Sequence, residues 1–305
     1  MMFSIIMPTY KNTPHTLTKA ISSVIKQEEK DWELLIIDDN FAGTDFKAYS
    51  DSIKNLVNDQ RVKVYLHQSN MGANAARNTG IKNSSGTHLA FLDADDEWDK
   101  DYLLSVKNIF KEYDVGLVSS AYRLVTNNKT FDVYENRECS GYIYMKMIYK
   151  DIVGPTSAVV VDKKILLDAG GFDENLPARQ DYDMWLRITK LCNVASIHKA
   201  KLSIYRRGTE SISSRGMNHI NGTDIVIEKL LKNPKLLPFK TKVLKSHYSE
   251  SSYYALRQKN YKVSRVYAIK ALKNGFSFKN IGYILMSFCP KMIEMMRKVY
   301  RKVRS

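Results

Sequence analysis

The sequence predicts an α/β fold: a parallel sheet with helices on both faces, followed by a small, basic, helical C-terminal region. Three observations carry this expectation. Short runs rich in Ile, Leu and Val recur between stretches of helical periodicity in the first half of the chain, the alternation that builds a parallel sheet with crossover helices. These runs read as short buried strands. The third observation is charge. Residues 1–220 hold 28 Lys and Arg against 28 Asp and Glu, whereas residues 221–305 hold 19 against 4, so the whole formal excess of +15 lies in the C-terminal stretch. That asymmetry divides the chain into a charge-balanced domain, 1–220, and a basic region, 221–305, of the kind that meets nucleic acid or an anionic membrane.

The elements follow in order. Phe3–Met7 is the first strand. Thr13 is placed to cap a helix that has Pro14 as its first residue and Leu17, Ala20, Ile21, Val24 and Ile25 on its apolar face. Glu33–Ile37 is the second strand, and Tyr49, Ile53, Leu56 and Val57 fit a second helix. Val62–Leu66, a helix from Ala73 to Lys82, and His88–Leu92 complete this half. Beyond residue 221, Ser249–Gln258 and Tyr261–Lys273 read as short helices. Lys291–Ser305 reads as an amphipathic one, with Met292, Met295, Met296, Val299 and Val303 opposite a face of lysines and arginines.

Other classes are excluded early. Seven prolines and fourteen glycines in 305 residues make neither a collagen-like nor a low-complexity chain. Cys139, Cys192 and Cys289 are odd in number and far apart, which fits a reducing compartment rather than a disulfide framework. Met1–Met7 lacks the basic start and cleavage site of a signal peptide. Ile281–Cys289 falls short of the about 20 apolar residues a spanning helix needs. The expectation is therefore a cytoplasmic protein able to rest on a membrane.

The residues that suggest chemistry stand after the strands. Leu34–Ile37 runs into Asp38-Asp39, and Leu89–Leu92 runs into Asp93-Ala94-Asp95-Asp96. Ligands bind beyond the carboxyl ends of strands in such sheets. Carboxylates gathered there repel one another unless something positive offsets them, and their oxygens suit Mg²⁺ or Mn²⁺ rather than zinc. For Asp38 alone, the plainer alternative is a helix cap.

Together these motifs resemble the family 2 glycosyltransferases of GT-A fold, inverting enzymes that use nucleotide sugars and a divalent metal. The resemblance covers residues 2–210. It runs from Pro8-Thr9-Tyr10 through Asp38-Asp39, Asn70-Met71-Gly72, Ala76-Arg77-Asn78 and Asp93-Ala94-Asp95-Asp96 to Gly170-Gly171-Phe172-Asp173 and Gln180-Asp181-Tyr182-Asp183-Met184-Trp185-Leu186. It implies a Rossmann-like mixed sheet. It also implies that Pro8, Thr9, Tyr10 and Asp38 serve the base of a UDP-sugar, and that Arg77 lies near the nucleotide. Asp93 and Ala94 would meet the ribose or sugar, Asp95 would bind Mn²⁺ or Mg²⁺ on the diphosphate, and Asp181 would be the catalytic base. Trp185 is expected either in the core or under the sugar. Gly170-Gly171 is expected to shape a turn through positive φ.

The chain departs from the family in one place. Tyr205-Arg206 is followed by Arg207 and not by the late histidine of many relatives. Either Arg207 meets the diphosphate, or the metal takes fewer protein ligands. The expected partners are a UDP-sugar, a lipid-linked glycan acceptor of the bacterial surface-polysaccharide type, and the inner face of an anionic membrane. Two other readings compete with this one. A nucleotidyltransferase would carry a glycine-rich loop near the N-terminus, and Pro8–Thr13 has no glycine. A nucleic-acid-binding protein would place phosphates against acidic strand ends.

Overall fold

The computed structural model describes residues 1–40, 59–126, 129–133, 139–206 and 216–288. The expected helix through Tyr49–Val57, Arg207 and the Lys291–Ser305 helix lie outside the described residues.

The chain opens with β1 (Phe3–Thr9), α1 (Pro14–Ile25), β2 (Trp32–Asp38), β3 (Val62–Leu66), α2 (Ala73–Asn83) and β4 (His88–Phe91). Thr13 caps α1 by accepting a hydrogen bond from the Thr16 N–H, with Pro14 in the first turn. The cap contributes about 1 kcal/mol. Burial of Leu17, Ile21 and Val24, at about 1.5–3 kcal/mol each, outweighs it and fixes which way the helix faces. β2 is buried at every position, and its neighbour β1 at all but Pro8, so helices must cover both faces. On one face Phe3, Ile5, Met7, Leu34 and Ile36 join Leu17, Ala20, Ile21 and Val24 of α1. On the other, Leu35 and Ile37 meet Ala76 of α2. Gly80 lets α2 come close, because a Cβ there would stand 2.4 Å from Ile6 Cγ2.

There follow β5 (Glu97–Trp98), α3 (Tyr102–Glu112), β6 (Leu117–Ser120), β7 (Tyr122–Thr126), β8 (Lys129–Val133), α4 (Tyr144–Met147), β9 (Val159–Asp162), α5 (Lys163–Asp168), α6 (Gln180–Thr189), β10 (Val194–Ile197) and β11 (Leu202–Arg206). The main sheet has seven strands in the order β10-β6-β9-β4-β1-β2-β3. It is mixed, as the family resemblance implies, and not the purely parallel sheet that strand–helix alternation alone suggests. β9 runs antiparallel to both β4 and β6. A second sheet, β5-β11-β7-β8, has four strands.

Contacts divide the chain into two compact units. One comprises 1–147, 151–175 and 180–209, and the other 148–150, 176–179 and 210–305. A boundary at residue 220, where the charge balance changes, falls inside α7 (Gly216–Leu231). The second unit continues through α8 (Lys240–Arg257), α9 (Tyr261–Lys273) and α10 (Phe278–Phe288). Leu256, Ala268 and Tyr283 form one small core there, and Ile220, Ala255 and Tyr267 another. The same unit holds the short segment that precedes α6. Arg179, at φ 65°, pairs with Glu250 at 3.8 Å, and a Cβ on Gly222 would stand 2.4 Å from the Ala178 carbonyl oxygen. No helix among the described residues is long and apolar enough to cross a membrane.

Candidate active site

β2, β1 and β4 run parallel with Thr9 opposite Asp38 and Ile6 opposite Phe91, so their carboxyl ends open on one edge of the sheet. Thr9, Asp38 and the 93–96 turn therefore lie on that edge. Asp38 is buried, and its Oδ1 accepts from the Asn40 backbone N–H at 3.0 Å and from the Asn40 amide at 2.5 Å. Burial raises its pKa above the usual carboxylate range, against the opposing pull of the Asn40 hydrogen bonds. Thr9 is buried as well, with its hydroxyl on Asn12 Oδ1 at 3.1 Å. Tyr10 is 47 % exposed and Pro8 partly so.

Asp39 has a different task. Its carboxylate accepts from the backbone N–H groups of Met71 and Gly72, both at 2.8 Å. It also receives the Asn70 amide at 3.1 Å and His67 Nδ1 at 2.8 Å. Gly72 sits at φ 88°, a region where a side chain would be strained, and this turns the two N–H groups onto one carboxylate. Asp39 thereby fixes the start of α2, the helix that carries Arg77.

Arg77 is not a solvated helix residue. It is 5 % exposed at the side chain, and its Nη2 donates to Asp93 Oδ1 at 2.7 Å. Its guanidinium lies 5.5 Å from the Phe172 ring centre. Nε and Nη1 are buried without a hydrogen-bond acceptor. Two positioned donors beside a half-exposed carboxylate suit the oxygens of a bound diphosphate.

The three aspartates of the 93–96 turn differ in state. Asp93 is ion-paired to Arg77. Asp96 is buried and accepts from the Ser157 hydroxyl at 2.6 Å and the Tyr205 N–H at 3.1 Å. Burial, reinforced by Asp93 and Asp95, raises its pKa far above the usual range. Asp95 is partly exposed, and Ala94 is buried in the main core. Ser157, which sequence reasoning missed, ties the turn together. It is fully buried, accepts from the Asp93 N–H at 3.0 Å and donates to Asp96, while its carbonyl takes the Trp98 indole N–H at 2.9 Å.

Helix α2 also holds the glycine turn. Gly170 and Gly171 lie at φ 87° and 73°. Asn78 donates to and accepts from the Phe172 backbone, each at 2.9 Å, and Asn74 donates to the Asp173 carbonyl at 2.8 Å. Two stretches about a hundred residues apart thus form one hydrogen-bonded unit. Asp181 lies partly exposed in the first turn of α6, its Oδ1 accepting the Tyr182 N–H at 2.7 Å. Asp183 is structural, with Arg187 donating to it at 2.6 Å and 3.1 Å.

Trp185 takes the core position of its two alternatives and not the place under a sugar. Its ring is fully buried between Phe91 and Phe172, and its N–H donates to the Gly154 carbonyl at 2.9 Å. It supports the base of the site and presents no surface to a sugar.

Among the described residues no three His, Cys, Asp or Glu side chains gather into a cage. The partly exposed carboxylate of Asp95 fits the other mode, in which one or two carboxylates share a hard cation with substrate phosphates and water.

A seven-stranded mixed sheet covered by helices, with an acidic turn at its carboxyl edge, is the GT-A arrangement. The sequence pattern of Glycosyl transferase family 2 matches residues 4–168, and the chain belongs to that family. Glycosyl transfer is thereby favoured over nucleotidyl transfer. The chain is 32 % identical over 235 residues, covering 76 % of itself and 88 % of the relative, to the UDP-Glc:alpha-D-GlcNAc-diphosphoundecaprenol beta-1,3-glucosyltransferase WfgD of Escherichia coli. It is 29 % identical over 315 residues, covering 97 % and 96 %, to the GalNAc(5)-diNAcBac-PP-undecaprenol beta-1,3-glucosyltransferase of Campylobacter jejuni. The crystal structure of S. aureus TarS 1–349 in complex with UDP-GlcNAc superposes with a TM-score of 0.63 at 17 % identity, over 90 % of this chain and 89 % of that one. This last similarity speaks to the fold alone.

Proposed function

We propose that the protein transfers one sugar from a UDP-sugar, with inversion, to a growing glycan carried on a lipid diphosphate. The observation that carries this reading is Arg77: a buried cation with two unpartnered donors, locked to Asp93 at the carboxyl edge of the sheet. The relatives' activities on diphosphoundecaprenol acceptors support a lipid-linked acceptor.

In this reading Thr9, Tyr10 and Asp38 hold the base. Arg77 grips the diphosphate and Asp93 orients the ribose or sugar. Asp181 Oδ takes the proton of the acceptor hydroxyl as that oxygen attacks the anomeric carbon. Only one carboxylate is needed, because the leaving diphosphate takes no proton in the step. Asp95 would hold Mn²⁺ or Mg²⁺, which when bound supplies charge neutralisation at the departing diphosphate. The basic region, including Lys291–Ser305, would keep the enzyme on the anionic inner face of the membrane where the acceptor resides.

The test is UDP release from UDP-Glc, UDP-Gal, UDP-GlcNAc and UDP-GalNAc with Mn²⁺, for the native chain, Asp95→Ala and Asp181→Asn. One donor should be turned over by the native chain and by neither variant. Equal turnover by all three would sink the assigned roles.

A further inference from the structure

Helix α10 turns its largest apolar side chains outward. Its face toward the other helices of its unit carries Asn280, Tyr283 and Ser287, at 0 %, 6 % and 3 % exposure. The Asn280 amide donates to Ser249 Oγ at 2.8 Å, and Arg265 donates to the Ser287 carbonyl at 3.1 Å. The outer edge carries Phe278, Leu285 and Phe288, at 81 %, 58 % and 66 % exposure, next to Phe276 at 64 %. Spacings of seven and three residues place Phe278, Leu285 and Phe288 on one stripe along the helix. The rings of Phe276 and Phe278 meet edge to face at 4.8 Å, so the apolar edge begins in the turn before the helix.

A helix in water does the reverse, burying its phenylalanines and exposing its asparagine and serine. The inner face is satisfied by these hydrogen bonds and by Ile284 and Met286 packed on the core of Leu256, Ala268 and Tyr283, whereas the outer edge leaves large apolar side chains in water and is favoured only against another medium. Charge says which medium. From Lys240 to Phe288 the chain holds ten Lys and Arg and one acidic residue, Glu250. Cations border the apolar edge itself. Lys273 and Lys279 are exposed, Lys245 Nζ donates to the Phe276 carbonyl at 2.6 Å, and the Arg265 guanidinium lies 4.5 Å from the Phe288 ring centre. Aromatic and aliphatic side chains flanked by lysine and arginine match the headgroup boundary of an anionic bilayer, where the rings enter the acyl region and the cations meet phosphate.

We propose that the outer edge of α10, with Phe276, inserts into the surface of an anionic phospholipid bilayer. This surface lies within the described residues and is separate from the Lys291–Ser305 segment. The proposal deepens the reading of a lipid-linked acceptor, and its test uses vesicles without acceptor so that either can fail alone.

The experiment uses the full chain and a Phe278→Trp reporter, its emission read as the difference from the native chain, which already carries the buried Trp32, Trp98 and Trp185. With vesicles of phosphatidylglycerol and phosphatidylcholine, its emission should shift to the blue and be quenched by brominated lipid. Pure phosphatidylcholine should bind far less, and added salt should weaken the anionic binding. Combining Phe278→Ser, Leu285→Ser and Phe288→Ser should lower vesicle binding on the order of a hundredfold. UDP release and the circular dichroism spectrum should be unchanged, since all three side chains are exposed. Unchanged binding by this triple variant overturns the proposal. So does a reporter that is blue-shifted before vesicles are added, whether deletion of residues 289–305 reverses the shift (the chain's own tail covers the edge) or dilution does (a second copy covers it). If vesicles bind as expected while no lipid-linked acceptor is glycosylated, the acceptor reading fails and this one stands.

Discussion

Replacing Arg77 by methionine separates a ligand-binding arginine from a structural one. The side chain is 5 % exposed and has one ion pair, to an Asp93 that is 37 % exposed. A pair open to solvent on one side contributes about 1 kcal/mol or less. Against this stand the buried Nε and Nη1, which lack acceptors, and each such donor costs about 1–3 kcal/mol. Arg77→Met keeps much of the aliphatic volume beside Phe172 and removes both costs. The unliganded protein is therefore expected to stay within about 1 kcal/mol of its native stability, or to gain. Binding should respond in the opposite direction. Two charge-assisted hydrogen bonds to a diphosphate, at about 1.5–3 kcal/mol each, correspond to a loss on the order of a hundredfold or more in UDP affinity. Urea unfolding and calorimetric titration with UDP and Mn²⁺ measure the two quantities. A variant that unfolds several kcal/mol more easily yet binds UDP normally would show that Arg77 only anchors Asp93 and does not hold the diphosphate.

Four further outcomes are expected. Asp181→Asn should lower turnover by about 10²–10⁴-fold, the usual span for a general base, with UDP affinity by titration unchanged. Ser157→Ala strands the Asp93 N–H and removes a donor from buried Asp96, so the urea midpoint should fall by the equivalent of about 2–4 kcal/mol; an unchanged midpoint would count against that network. Gly80→Ala forces a Cβ to within 2.4 Å of Ile6 Cγ2 and should cost about 1–3 kcal/mol, again read from the urea midpoint. Glu33 supplies a pH signature: burial raises its pKa, but hydrogen bonds from Lys63, Ser4 and Ser85 outweigh that and bring it down to about 2. Because the folded value is depressed, its contribution is present above the unfolded value of 4.5 and lost as pH falls from there toward 2. In urea titrations across that window, Glu33→Gln should flatten the decline in stability.

The parallel half of the fold was legible because its strands announce themselves by composition, although β3 was expected buried and is partly to well exposed. β3 and α9 begin and end where the hydrophobic pattern places them, and Thr13-Pro14 marks the start of α1. Strand direction is not encoded in that way. Val159–Val161 reads the same in either orientation, and β9 runs antiparallel because of the connections around it. β7 escaped because every one of its residues is only partly buried, and β11 because Leu202 alone is fully buried before the partly buried Ser203, Ile204 and Tyr205. At the site, strand-end carboxylates were visible, but not the division of labour among them. Asp39 looked like a twin of Asp38, and only the glycine of Asn70-Met71-Gly72 hinted that two backbone donors elsewhere needed an acceptor. The core position of Trp185 was available from periodicity, since Tyr182, Trp185 and Thr189 follow the i, i+3, i+7 spacing of a buried face.

The acidic turn also changes how the cluster argument runs. Three carboxylates at a sheet edge suggest a metal because mutual repulsion needs an offset. Here most of the offset comes from the protein itself. Asp93 has Arg77, and the Ser157 hydroxyl and the Tyr205 N–H donate to the two oxygens of Asp96. Repulsion alone therefore no longer calls for a cation. The case for one narrows to Asp95, a partly exposed carboxylate between two neighbours whose charge is already accounted for. A site arranged in this way suits a cation that arrives with the diphosphate rather than one held beforehand, because a single carboxylate binds Mg²⁺ or Mn²⁺ weakly and substrate oxygens complete the shell. Metal affinity should then depend on UDP, and UDP affinity on metal, by the same factor.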